Sequence, residues 1–134
     1  MKQYVTDTHP LLWYVSADAQ IGSKAKVIIE KAEAGEINII VPAIVLIEAI
    51  DVLNKKRIIY NIGDFFQWID QIPHHEIKNL DLDIINLYKD YLSPLPSVKL
   101  KSHDKIIVVT AQFFNNLPII TKDPDIQKVY PTIW

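Results

Sequence analysis

Four acidic residues of this 134-residue chain stand where a carboxylate can do chemistry as readily as hold structure: Asp7, Glu48, Asp104 and Asp123. Asp7 ends the stretch "QYVTD", just before "THPLLWYVS"; Asp104 sits in "SHDKIIVV" and Asp123 in "TKDPD". Each has an ordinary reading. Asp7 and Asp104 suit helix N-caps, although Thr8 offers another cap beside Asp7, and Asp123 suits a turn. Asp125 is near enough to stand in for Asp123, and the residues alone leave that choice open. Glu48 is harder to explain locally. Its neighbours one turn away are Ile44, Val45, Asp51 and Val52, none of them a cation, and a carboxylate buried without a partner is costly, so its ordinary reading is a protonated Glu or one paired through the tertiary fold. Asp51, by contrast, has Lys55 four residues on. Gathered at one place, such carboxylates repel, and a hard divalent cation, Mg²⁺ or Mn²⁺, is the usual resolution. A site of that kind activates water and stabilises charge on a phosphodiester.

The elements that would position these groups alternate along the chain. "QYVT" reads as a strand, and "THPLLWYVS" as a helix with Pro10 in its first turn. "SKAKVIIEKAEA" has Ser23 as a cap and Gly35 as a stop, and "INIIV" follows as a buried strand. "PAIVLIEAIDVLNKK" opens on Pro42 and is apolar on nearly every face, which predicts a helix buried in the domain. "NIGDFFQWIDQI" and "DLDIINLYKDYL" are amphipathic helices, and "HHEIKNL" between them holds a short strand. "HDKIIVVTAQFFNN" predicts a helix beginning near Asp104, and "LPIIT" a strand ending before "KDPD". The expected architecture is α/β, a mostly parallel sheet of about four to five strands flanked by helices, in a single domain spanning 1–134. Open parallel sheets bind ligands at the carboxyl ends of their strands, where Asp7 and Asp123 both fall.

Composition excludes several function classes. Three glycines, Gly22, Gly35 and Gly63, are too far apart for a dinucleotide fingerprint, a phosphate-binding loop or a nucleophile elbow. The absence of cysteine removes thiolate metal sites and disulfides, and "HHEIK" lacks the spacing of a zinc-protease helix. An aspartyl-phosphate phosphatase would place a second Asp where His9 stands. With a net charge of −2, a nucleic acid must be held by local basic patches and not by a global field. No apolar leader or membrane-length tract is evident, so the expectation is a soluble cytoplasmic protein.

The same residues resemble the PIN-domain family, in particular the VapC-type toxins of toxin–antitoxin pairs. "VTDTHPLLWY" is similar to the opening strand and first Asp; "PAIVLIEAIDVLNKKRI" to the block with the buried Glu. "HDKIIVVTAQFFNNLPIITKD" is similar to the third and fourth acidic blocks, and "VYPTIW" to the ending. The resemblance implies a metal-dependent endoribonuclease with Asp7, Glu48, Asp104 and Asp123 as catalytic metal ligands for Mg²⁺ or Mn²⁺. It also implies an RNA substrate, a homodimer and inhibition by a small antitoxin protein, and it places Thr121 near the metal. The chain departs from the family where many relatives read Asp-Pro-Phe-Asp-Arg; here "KSHDK" keeps the second Asp and has Lys105 in place of Arg. Small hydroxyl residues common before the Glu are replaced by Pro42 and Val45.

Among the basic residues, Lys101 and Lys105 flank Asp104 and are the preferred RNA contacts, whereas Lys24, Lys26, Lys55, Lys56, Arg57 and Lys99 individually fit a solvated charged face. Phe65, Phe66 and Trp68 fit a core better than a partner groove. A second reading, from another class, is a catalytically weak PIN-like module that regulates by binding a partner.

Overall fold

In a computed structural model describing residues 1–134, the order is β1 (Lys2–Thr6), α1 (Thr8–Val15), α2 (Ser23–Glu33), β2 (Ile37–Pro42), α3 (Ala43–Asn54) and α4 (Ile62–Gln71). It continues with β3 (His75–Lys78), α5 (Leu82–Asp90), α6 (Ser102–Phe113), β4 (Ile119–Ile120), α7 (Pro124–Val129) and β5 (Thr132–Ile133). The five strands form one all-parallel sheet in the order β3-β2-β1-β4-β5. The chain therefore starts in the middle, builds outward through β2 and β3, then returns to the other side of β1 to add β4 and β5. The reversal falls between β1 and β4, where the carboxyl ends of two strands diverge into separate connections.

The sheet is buried because its strands are apolar on both faces. Val5, Ile39, Ile40, Val41, Ile119 and Ile120 are fully buried, as expected for parallel strands covered on each side by helices. Helix α6 packs on β1 and β2 with Ile107, Val108 and Ala111, and α1 packs against α2 and α3 through Leu11 and Leu12. Helix α2 ends as its sequence suggests. Gly35 takes φ +78°, Glu36 N–H donates to the Lys31 carbonyl and Gly35 N–H to that of Ala32, the paired closure that favours glycine at a helix end.

Three local expectations need correction. Ser23 does not cap α2; Gly22 holds that position, and the Trp134 side chain packs where a Gly22 Cβ would stand. Helix α3 is not buried all round, because Ile47 is 54% exposed while Val45, Ala49, Val52 and Leu53 face the core. The end of the chain carries two elements the sequence reading missed, α7 and β5, each too short for periodicity to reveal. No helix is long and apolar enough to cross a membrane.

Phe65 lies in the core, as its helical spacing suggested, and Trp68 is fixed beside it. Trp68 Nε1 donates to Glu33 Oε2 at 2.8 Å, Tyr14 donates its hydroxyl to the other oxygen, and the two rings stack at 5.7 Å. This cluster ties α1, α2 and α4 together.

The two apolar classes on β2 and α3 should respond differently to mutation. Ile40→Ala, in the sheet interior, is expected to lower the unfolding free energy by about 2–5 kcal/mol, whereas Ile47→Ser on the exposed face of α3 should stay within about 0.5 kcal/mol. Urea denaturation of the two variants checks this; comparable losses would contradict the placement of the core.

Candidate active site

The carboxyl ends of β1 and β4, the middle of α3 and the first turn of α6 converge on one cavity of about 390 Å³. Asp7, Glu48, Asp104 and Asp123 all line it. The fold thus brings together four residues that are up to 116 positions apart in sequence (Asp123 minus Asp7).

Asp7 is almost wholly buried, and both its oxygens are engaged. Oδ1 accepts the Thr8 N–H at 2.7 Å and Oδ2 accepts the Thr121 hydroxyl at 2.6 Å. Asp7 is therefore itself the N-cap of α1. Thr8 is not the cap; it lies inside the helix with its hydroxyl buried and unpartnered. Thr121 does more than orient Asp7. The same hydroxyl oxygen accepts the Asp123 N–H at 3.0 Å, so one side chain at the end of β4 links two of the four acidic positions.

Asp123 is not a simple turn residue. It caps α7, with Oδ1 accepting from the Asp125 and Ile126 N–H groups, and it still reaches the cavity. Asp125 faces elsewhere, 4.0 Å from Lys128. Of the two, it is Asp123 that the structure brings to the other carboxylates.

Asp104 is the third residue of α6 and not its cap; Lys101 precedes the helix and supplies no side-chain cap. With the capping explanation gone, no hydrogen bond accounts for this carboxylate. Its pKa is pushed up to about 7, first by desolvation and then by the charges of Asp123, Asp7 and Glu48, with Lys101 opposing. The start of α6 favours the ionised form by about 0.3–1 kcal/mol, less than the equivalent of one pH unit, so it moderates the rise without reversing it. Asp7 is raised too, mainly by burial, against the lowering pull of Thr121 and Thr8.

Glu48 is less buried than expected. Its side chain is 28% exposed and has a partner distant in sequence, His103, whose Nδ1 lies 3.3 Å from Oε2. The absence of a helical partner was legible; the partner supplied by α6 was not. His9 and Ser102 also line the cavity, as do His103 and Lys101. The sequence reading passed over the two histidines as site residues. The available signal was adjacency, His103 beside Asp104 and His9 two residues after Asp7.

Lys101 is at the cavity as anticipated, but Lys105 is not. The Lys105 ammonium stands 4.6 Å from the Tyr88 ring and 5.8 Å from the Tyr91 ring, drawn to the π-faces beside α5. Lys55 and Arg57 border a second, smaller concavity that shares His9, Glu48 and His103 with the first.

The donor set suits a hard cation. Four carboxylates offer only oxygen, the ligand type that Mg²⁺ and Mn²⁺ prefer, and a carboxylate oxygen already accepting one hydrogen bond retains a second lone pair. As the side chains stand, no three acidic or histidine groups are drawn together tightly enough to close on an ion. The hydrogen bonds of Asp7 and Asp123 and the His103 contact of Glu48 account for their separate directions.

The sequence pattern of the PIN domain matches residues 4–130, so the chain belongs to the PIN domain family. PIN domains are generally nucleases and typically use divalent metals. Among solved structures, the fold is similar to a toxin–antitoxin complex from Klebsiella pneumoniae, with TM-score 0.68 and 20% identity over 98% of this chain and 96% of that one. It is similar as well to VapBC2 from Rickettsia felis bound to a DNA fragment from their promoter, with TM-score 0.68 and 15% identity over 98% and 96% of the two chains. No curated protein sequence matches the chain.

The raised Asp104 value has a consequence for stability. Folding lifts this carboxyl above its ordinary 3.8 to about 7, so the folded state binds more protons between those values and stability falls as pH rises through that window. Asp104→Asn, which cannot ionise, removes that loss. In EDTA, the variant should gain about 1–2 kcal/mol on the wild type between about pH 5 and pH 8, after discounting for partial exposure. Denaturant unfolding at both pH values checks it, and a pH-independent difference would contradict the crowding of charge at Asp104.

Proposed function

We propose that this single PIN domain, residues 1–134, is a Mg²⁺- or Mn²⁺-dependent endoribonuclease acting as the toxin of a toxin–antitoxin pair. The observation that carries the reading is the convergence of Asp7, Glu48, Asp104 and Asp123 on one cavity at the sheet's switch point. Asp104, its pKa pushed up to about 7 by burial and then by its acidic neighbours, is a group expected to give up a proton when a cation is bound. A cation bound among these carboxylates supplies Lewis-acid activation of water and charge neutralisation at the phosphodiester.

The chain's own residues set the rest. Thr121 holds the Asp7 carboxylate in a fixed direction and ties it to the Asp123 backbone. Lys101, beside the carboxylates, offers a cation to non-bridging phosphate oxygens, and His9 and His103 offer ring nitrogens at the same cavity. Lys55 and Arg57 suit a backbone phosphate beyond it. An antitoxin partner is supported by the solved toxin–antitoxin complexes that share the fold. The homodimer is part of the same proposal.

The decisive experiment is cleavage of a mixed RNA by the purified chain in Mn²⁺ or in EDTA, beside Asp7→Asn. Cleavage should require the ion and fall by at least about 10²-fold in the variant, with the circular dichroism spectrum unchanged. A folded protein that binds Mn²⁺ and cuts neither mixed RNA nor structured tRNA would replace the enzyme with a regulatory binding module.

A further inference from the structure

Beside the carboxylate cavity lies a second groove of about 320 Å³ that shares Asp7, His9 and Asp123 with it. Its distinctive wall is Trp13, on α1, about one and two-thirds turns after Asp7. The indole is only partly buried, yet it is well fixed. Trp134 meets it edge-on at 5.7 Å and is itself seated against Gly22, while the His9 ring tilts toward it at 5.2 Å. Lys122 brings its ammonium to 5.6 Å from the Trp13 ring. A half-open indole with a cation beside it, opening directly into an acidic phosphodiester-sized cavity, combines the two features by which proteins hold single-stranded nucleic acid: a stacking face and a positive charge for the backbone.

We propose that Trp13 is a stacking platform for one nucleobase of single-stranded RNA, placed next to the phosphodiester that enters the carboxylate cavity. The platform rests on the nuclease reading of the site and adds to it a residue that selects unpaired substrate. A base displaces the Lys122 ammonium from the Trp13 face. The side chain is exposed and long, so it turns to the phosphate of the same nucleotide. On the far side of His9, Lys55 and Arg57 receive the strand where it leaves. The strand therefore crosses three adjoining concavities with His9 in the wall of each. Because every base has a π-face, the platform discriminates stacked from unstacked nucleotides more than one base from another. A paired base inside a helix cannot reach it without unstacking.

The test reads binding and not cleavage. A short single-stranded RNA, and the same RNA with one abasic position moved along it, are titrated against Asp7→Asn protein with and without Trp13→Ala. Trp13→Ala should weaken binding of the intact RNA by about ten- to a hundredfold. One abasic position should weaken the parent protein by a similar factor and leave the Trp13→Ala protein almost unaffected, with Trp13→Phe restoring most of the affinity. Equal affinities with and without Trp13, or abasic losses that persist undiminished in Trp13→Ala, overturn the platform. Wild-type cleavage, measured separately in Mn²⁺, distinguishes the two claims: failure to cut both mixed RNA and structured tRNA removes the nuclease reading, whereas RNA that is cut but insensitive to Trp13 in the binding cycle removes the platform alone.

Discussion

Like charge crowded into one cavity is the constraint on which the rest of the structure turns. Four carboxylates line the same space; burial raises the pKa of Asp7, and Asp104 is pushed up to about 7 by burial and by the other three. Such an arrangement destabilises the folded chain unless protons or a cation compensate. It is tolerated because the sheet around it is well packed: the strands that end at the cavity, β1 and β4, are sealed by Val5, Ile119 and Ile120, all fully buried. The apolar sheet supplies stability that the acidic edge spends.

The carboxylates are held by groups that serve local structure at the same time. Asp7 caps α1 and Asp123 caps α7, so the chain's passage from strand to helix fixes the direction of each. A cap interaction occupies some of the lone pairs of a carboxylate and leaves the others to face the cavity. Thr121 couples the two caps through a single hydroxyl, donating to one and accepting from the backbone of the other. Glu48 comes from the middle of α3 and Asp104 from the first turn of α6, and neither caps its helix. The switch in strand order between β1 and β4 is what makes these junctions meet.

The alternation of elements and the parallel sheet were legible in the sequence, because buried parallel strands are continuous apolar runs, and the four acidic residues conspicuous at strand ends or amid apolar neighbours are ones the fold brings to one cavity. What escaped depended on distance in the chain. The pairing of Glu48 with His103 joins α3 to α6, and the withdrawal of Lys105 to Tyr88 and Tyr91 depends on how α5 packs beside α6. Neither leaves a mark at helical spacing. Helix α7 and strand β5 were missed for another reason, their brevity, although Asp123 followed by Pro124 is a helix-start signal that was read as a turn. At Asp7, capping a helix and lining the acidic cavity are not exclusive: Oδ1 accepts the Thr8 N–H, Oδ2 accepts the Thr121 hydroxyl, and the residue still lines the cavity.

The central claim is that the acidic cavity exchanges protons for a divalent cation. Isothermal titration of Mn²⁺ into the wild-type protein, repeated in buffers of different ionisation enthalpy, measures that exchange directly. At about pH 6, below the Asp104 value of about 7, binding should release on the order of one proton or more per ion, declining toward none at about pH 9. An absence of Mn²⁺ binding, or binding with the same proton count at both pH values, would contradict the account.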